Sequence, residues 1–169
     1  MLDENLTAGS ASTGAEVDHL ATKVDELKDA GNKAFQAGDF RKAVSFFGEA
    51  IAHDSANAVL FSNRAAAFIA LEGQVAAYAD AAKTVALRPD WAKGYCRLGA
   101  ALHGLGKLEA SLQAFADGLH YEPTNTACKD GMANMMKLIQ GKKESMLPKG
   151  EGRPPPLSFL PQLTLSLSH

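Results

Sequence analysis

The sequence predicts an all-α fold, a superhelix of three helix–turn–helix repeats closed by a C-terminal capping helix. Three observations carry this. The chain repeats on itself at a spacing of 34 between Val24 and Asn125. Small or turn-forming residues recur at fixed slots: Gly31, Ala65, Gly99; Ala43, Ala77, Ser111; Ala50, Thr84, Gly118; and Ser55, Pro89, Pro123. Between these slots, apolar residues follow helical spacing. Two helices of a hairpin approach to about 8–10 Å, so large side chains at their crossing would force them apart.

That period and slot pattern are the signature of the tetratricopeptide repeat (TPR), whose stacked hairpins form a concave groove suited to another protein's segment. Residues 1–15 are small and polar and are expected to be disordered. A helix is then expected from Glu16 to the turn at Gly38, with Leu20, Leu27, Ala34 and Phe35 on its core face. Its partner is Phe40–His53, carrying Ala43, Phe46, Phe47, Ala50 and Ile51. The second repeat pairs Val59–Leu71 with Val75–Leu87 and stops at Pro89. In its turn Glu72-Gly73 moves the glycine by one position, which predicts a looser connection. The third pairs Trp91–Leu105 with Leu108–Tyr121 and ends at Pro123. Residues 126–142, with Met132, Met135, Met136 and Leu138, are expected to cap the stack. The domain is thus 16–142, with repeats at about 24–57, 58–91 and 92–125. Residues 143–169 contain Pro154-Pro-Pro156 and are expected to be a disordered tail.

Composition narrows the function. The chain has 169 residues, 46% hydrophobic and 21% charged, with a net charge of −2. These are the proportions of one soluble domain, and they give no electrostatic case for nucleic acid or an anionic membrane. No stretch has the length of a membrane span. Met1–Asn5 has no basic region leading into an apolar run, so no secretory signal is expected and a cytoplasmic location is. Cys96 and Cys128 have no metal-like spacing and are expected to stay reduced and pack as small apolar residues. His19, His53, His103, His120 and His169 are dispersed, so no metal site, cofactor or catalytic constellation is expected. Gly104-Leu-Gly-Lys107 lacks the full phosphate-loop pattern and reads as an inter-helix turn.

The groove is the informative part. The first helix of each hairpin lines the concave side, and its repeat positions 2, 5, 6, 9 and 12–13 reach the groove. These hold Lys28 and Asn32, then Asn63, then Lys93 and Arg97. Lys28 and Asn32 are four residues apart, as are Lys93 and Arg97, so each pair stacks on one helix face. Three cations and two amides, with no acid among the five, suit a doubly anionic ligand end such as a chain-terminal carboxylate beside an acidic side chain.

The runs Leu27-Lys28-Asp-Ala-Gly31-Asn32-Lys-Ala-Phe35, Leu60-Phe-Ser-Asn63-Arg-Ala-Ala-Ala67 and Arg88-Pro-Asp-Trp91-Ala-Lys93-Gly-Tyr95-Cys-Arg97-Leu-Gly-Ala-Ala-Leu102 resemble one family. It is the first TPR domain of the heat-shock-protein organising (stress-inducible, Hop/Sti-type) co-chaperones, over about residues 20–140. The resemblance implies that Lys28, Asn32, Asn63, Lys93 and Arg97 form a carboxylate clamp. That clamp grips the Glu-Glu-Val-Asp C-terminus of 70-kDa, and also 90-kDa, heat-shock chaperones. Ala66, Ile69, Cys96 and His103 are then candidates for shaping the pocket upstream of the ligand's terminus. The family's further TPR and Asp-Pro-rich domains are not in these residues. Two other readings compete: a TPR scaffold that docks an internal helix on apolar anchors such as Tyr95 and Phe68, and a targeting fragment of a larger TPR-bearing enzyme.

Overall fold

The computed structural model of the protein describes residues 11–146, with side chains from residue 18 onward. Its elements are α1 (Ala11–Gln36), α2 (Phe40–His53), α3 (Ala58–Ala70), α4 (Gln74–Leu87), α5 (Ala92–Gly104), α6 (Leu108–Tyr121) and α7 (Thr126–Met146). The hairpins α1–α2, α3–α4 and α5–α6 stack in chain order, and α7 closes the far end against α6 and α5. Beyond neighbours in sequence, α1 touches α3, α3 touches α5 and α5 touches α7. The first helices of the hairpins therefore share one inner surface, as a TPR stack requires.

Sizes are exchanged between matching slots of the hairpin cores. In the first repeat Gly31 faces Phe47, whose ring would lie 2.5 Å from a Cβ at residue 31. In the third, Gly99 faces Phe115, 2.8 Å from the equivalent Cβ. The corresponding residues of the second repeat are Ala65 and Ala81, both fully buried. In the outer hairpins a phenylalanine ring packs where glycine leaves room, and the second hairpin instead brings two alanines together. The first cluster gathers Val24, Leu27, Ala43, Phe47, Ala50, Leu60 and Ala67; the last gathers Cys96, Phe115, Cys128 and Met135.

The helix ends repeat as strictly as the cores. Each second helix closes with the cap N–H bonded to the carbonyl four residues back: Asp54 to Ala50, Arg88 to Thr84 and Glu122 to Gly118. Asn57 begins α3 by accepting from the Val59 N–H at 3.1 Å, and Asn125 accepts from the Cys128 N–H at 3.1 Å at the start of α7. Such caps satisfy donors that the helix itself cannot.

The middle turn corrects the expectation of a looser connection. Gly38, Glu72 and Gly106 hold the same slot and all have positive φ, at 77°, 57° and 72°. The following N–H bonds repeat too, from Asp39 to the Ala34 carbonyl, Gly73 to Phe68 and Lys107 to Leu102. The turn geometry is thus kept, and Glu72 takes the left-handed conformation that glycine takes elsewhere. Relieving a non-glycine residue of that conformation recovers about 1–2 kcal/mol, and the added chain entropy of glycine takes back about 0.5–1 kcal/mol. Glu72→Gly should therefore raise stability by about 0.5–1 kcal/mol, seen as a higher melting temperature; a lower one would contradict this description of the turn.

Other differences from expectation have simple causes. Helix α1 begins at Ala11 rather than Glu16, so residues 11–15 are helical, and α7 runs on to Met146 rather than ending at Lys142. No proline interrupts either run, and a single Gly14 or Gly141 costs only about 1 kcal/mol. The disorder expected for residues 1–10 and 147–169 concerns segments outside the described residues. Leu20 is 46% exposed, because the core begins a turn later at Val24. On α7, Met135 is buried and Met132 packs on the last cluster, while Met136 and Leu138 face outward. The cysteines depart furthest from expectation. Cys96 and Cys128 are joined in a disulfide between α5 and α7, with Cα atoms 5.2 Å apart.

Candidate functional site

The inner surface of α1, α3 and α5 encloses a cavity of about 250 Å³ lined by Asn32, Phe35, Gln36, Phe47, Asn63, Ala66, Lys93 and Arg97. Four of the five expected clamp residues thus meet on one space, together with Ala66. They come from three helices because the repeat returns the same helix face to the groove every 34 residues.

Asn63 donates from Nδ2 to Asn32 Oδ1 at 3.1 Å, so the two amides are locked across the first and second hairpins. This bond does the bland work of tying the repeats. It also leaves the Asn32 NH₂ and the second Asn63 N–H as unused donors in fixed positions. Across the cavity, Lys93 and Arg97 follow one another on a single turn of α5. Among the described residues neither has a salt-bridge partner, and the Arg97 Nε is buried with no hydrogen-bond partner. Partial burial, and then the nearby Arg97 charge, hold the Lys93 ammonium below the ordinary lysine range. Burial likewise lowers Arg97. A pair of like charges, desolvated and unbalanced, is costly to the free protein and is eased by an anion. Trp91 adds to the arrangement: its ring centroid lies 5.7 Å from the Lys93 Nζ and 4.7 Å from the Arg88 guanidinium carbon. Such stacking limits the freedom of Lys93.

Arg64 shows what a structural cation looks like in the same fold. Its Nε and Nη2 donate to the two carboxylate oxygens of Asp80, each at 2.8 Å, and Asp80 is buried. Arg97 has no such counter-ion.

Lys28 stands apart from the cavity. It lies one turn before Asn32 and forms a salt bridge with Asp25 on its own helix. Asp25 holds the slot that Lys93 holds in the third repeat, so the groove does carry an acid at its first repeat, which counting the five clamp residues alone overlooked. Cys96 lines a second, wider hollow of about 470 Å³ with Trp91, Lys93, Arg97, Glu122, Thr124 and Asn125. Lys93 and Arg97 are shared by both spaces. Ile69 is half-buried and His103 is exposed on the last turn of α5; neither lines either space. Phe35, Gln36 and Phe47 were absent from the sequence reading of the cavity. Phe35 and Gln36 are at repeat positions 12 and 13, which reach the groove, so that signal was present. Phe47 comes from α2, and it reaches the cavity because Gly31 leaves a gap.

Three further features are engaged within the fold. Tyr95 stacks on Tyr121 with centroids 5.5 Å apart and donates to the Pro89 carbonyl at 2.9 Å. Phe68 lies beneath Arg64 and against the Gly73 turn. Gly104–Lys107 forms the turn from α5 into α6, with Gly106 at positive φ. Among the described residues no group of three or more His, Cys, Asp or Glu could hold a metal ion, and no helix is long and apolar enough to cross a membrane.

No family model matches the chain. Among curated proteins it is 50% identical over 113 residues to the Hsp70-Hsp90 organizing protein of Triticum aestivum, covering 67% of this chain and 19% of that protein. It is 41% identical over 111 residues to the heat shock protein sti1 homolog of Schizosaccharomyces pombe, covering 66% and 19%. The chain thus spans about a fifth of the length of these relatives. Two solved structures are similar over nearly their whole length. One is the first TPR of Spaghetti (RPAP3) bound to the HSP90 peptide SRMEEVD, with TM-score 0.67 and 31% identity, covering 70% of this chain and 94% of that one. The other is the second TPR domain of human RPAP3 with the HSP70 peptide SGPTIEEVD, with TM-score 0.66 and 30% identity, covering 69% and 98%. The repeat, the shared inner helix surface and these likenesses agree: the chain belongs to the TPR domains of the Hsp70–Hsp90 organising, Sti1-type co-chaperones.

Proposed function

We propose that this chain is a binding module, not an enzyme, that grips the C-terminal Glu-Glu-Val-Asp tail of 70-kDa or 90-kDa heat-shock chaperones in the groove of α1, α3 and α5. The observation that carries the reading is the pair Lys93 and Arg97, desolvated and without counter-ion, facing the fixed amides of Asn32 and Asn63. The terminal carboxylate sits against Asn32, Asn63 and Lys93, and an acidic side chain of the ligand takes Arg97. Lys28 joins by exchanging Asp25 for a ligand carboxylate, a swap between like groups at an exposed site. Ala66 leaves room for the penultimate apolar side chain. The proposed location is the cytoplasm, where these chaperones' tails are met.

The apolar-scaffold reading has less support. Its anchors are already engaged, Tyr95 against Tyr121 of α6 and Phe68 against Arg64 and the Gly73 turn. Peptides ending in Glu-Glu-Val-Asp with a free or an amidated C-terminus separate the two readings. The free acid should bind, with affinity falling as salt rises because the charges lie in an open groove. The amide, which removes one charge and leaves donors unmatched, should bind at least about tenfold more weakly. Equal affinity for acid and amide would contradict the clamp.

A further inference from the structure

The clamp explains five side chains on α1, α3 and α5, but not why a cysteine stands between Lys93 and Arg97. Cys96 occupies the repeat slot that holds Lys28 in the first hairpin and Ser62 in the second, so it faces the groove side. It borders the hollow that it shares with both clamp cations. Its partner Cys128 is fully buried in the first turn of α7, its own N–H bonded to Asn125. The disulfide between them joins the helix that carries the clamp cations to the helix that caps the stack. The site is shaped for sulfur. A Cβ at Gly118 would lie 2.7 Å from the Cys128 Sγ, and the equivalent slots hold the larger Ala50 and Thr84.

We infer that Cys96 and Cys128 are a reversible thiol–disulfide site that locks α7 onto α5 when oxidised, with a low-molecular-weight disulfide of the glutathione class as its exchange partner. Both thiols are placed to react. A reduced Cys96 shares its hollow with Lys93 and Arg97 against one carboxylate, Glu122, a net cationic setting that favours its thiolate, and Cys128 stands within bonding reach of it on the first turn of α7. Cys96 is 7% exposed and lines the hollow, whereas Cys128 is fully enclosed, which sets the order of events. The Cys96 thiolate attacks one sulfur of the small disulfide, forming a mixed disulfide and releasing one small thiolate. The Cys128 thiolate then attacks the Cys96 sulfur, closing the 96–128 bond and releasing the second. Two electrons pass from the protein to the small disulfide, and the two protons lost by the cysteines end on the two small thiols. Excess small thiol reverses both steps. In a cytoplasmic protein, a disulfide of this kind is typically transient and sensing rather than permanent.

The consequence for the groove rests on the function proposed above. Closing the bond anchors α5 one residue before Arg97 and so holds the clamp cations in place before ligand arrives. Ordering one such side chain in advance strengthens binding by about two- to tenfold.

The test uses the full chain, equilibrated in glutathione buffers of graded reduced-to-oxidised ratio, with free thiols then alkylated and counted by mass. The expected result is a transition from two free thiols to none within that range, and a mixed disulfide with glutathione that accumulates in Cys128→Ala. The oxidised form should melt on the order of 10 °C higher than the reduced form. It should also bind the Glu-Glu-Val-Asp peptide about two- to tenfold more tightly. A Cys96→Ser/Cys128→Ala variant should lose both responses. Two free thiols at every ratio, or none at any, would overturn the switch, as would equal melting of the two forms. A peptide that binds both forms equally would overturn its link to the clamp. A peptide that binds neither form would contradict the proposed function alone, since thiol count and melting decide the switch without it.

Discussion

Asp80→Ala should lower the stability of the domain by about 3–5 kcal/mol, the range for removing one partner of a buried ion pair. The Asp80 side chain is 7% exposed, and it receives two parallel hydrogen bonds from Arg64 at 2.8 Å. The guanidinium is held near the rings of Phe61 and Phe68, with its carbon 5.6 and 5.9 Å from their centroids. Without the carboxylate, that charge is left unpaired beside aromatic faces, with 23% of the Arg64 side chain exposed to water. Urea unfolding of the variant measures the loss. A change below about 1 kcal/mol would show that the pair is no better than an exposed one. Replacing both partners by apolar residues, Arg64→Met with Asp80→Leu, should recover much of the loss, because no unpaired charge then remains.

The ion pair also marks where reading the sequence stopped. Residues 64 and 80 belong to repeat slots that hold Ala30 and Leu98, and Phe46 and Ala114, in the other hairpins, so the period gives no sign that they meet. The helices themselves were legible, since a strict 34-residue spacing repeats the apolar face, the small crossing residues and the prolines together. Four of the groove residues were legible for the same reason, because equivalent slots of successive hairpins face the same way. What periodicity cannot carry is a partner chosen once. The Asp25–Lys28 salt bridge is one such case, and the Cys96–Cys128 bond, across 32 residues of sequence, is another. Glu72 is the converse: the slot was periodic, and only the residue in it was unusual, so the turn kept its shape. Leu20, Met136 and Leu138 have helical spacing but lie exposed, because spacing says which face a residue is on and not whether a neighbour covers it.

The central claim is that Lys93 is held for an anionic ligand and not for the fold. Burial, and then Arg97, depress the Lys93 pKa. Its protonated form therefore weakens the free domain in full at pH below that lowered value, and the penalty fades as pH rises from there to the ordinary lysine range. A bound carboxylate reverses the balance by favouring the ammonium, so peptide affinity should decline as pH climbs through the lowered pKa. Lys93→Ala should accordingly leave melting unchanged or slightly raised, while weakening the complex by about 2–3 kcal/mol, or roughly 30- to 150-fold. Lys107 is the matched control, an exposed cation at the start of α6 on the inter-helix turn. Lys107→Ala removes the same charge and should change affinity by less than about 0.5 kcal/mol. The deciding measurement is the titration of a fluorescent peptide ending in Glu-Glu-Val-Asp against the wild type, Lys93→Ala and Lys107→Ala, each shown to be folded by circular dichroism. A large loss confined to Lys93→Ala is the expected result; equal affinity of the two variants would contradict the clamp.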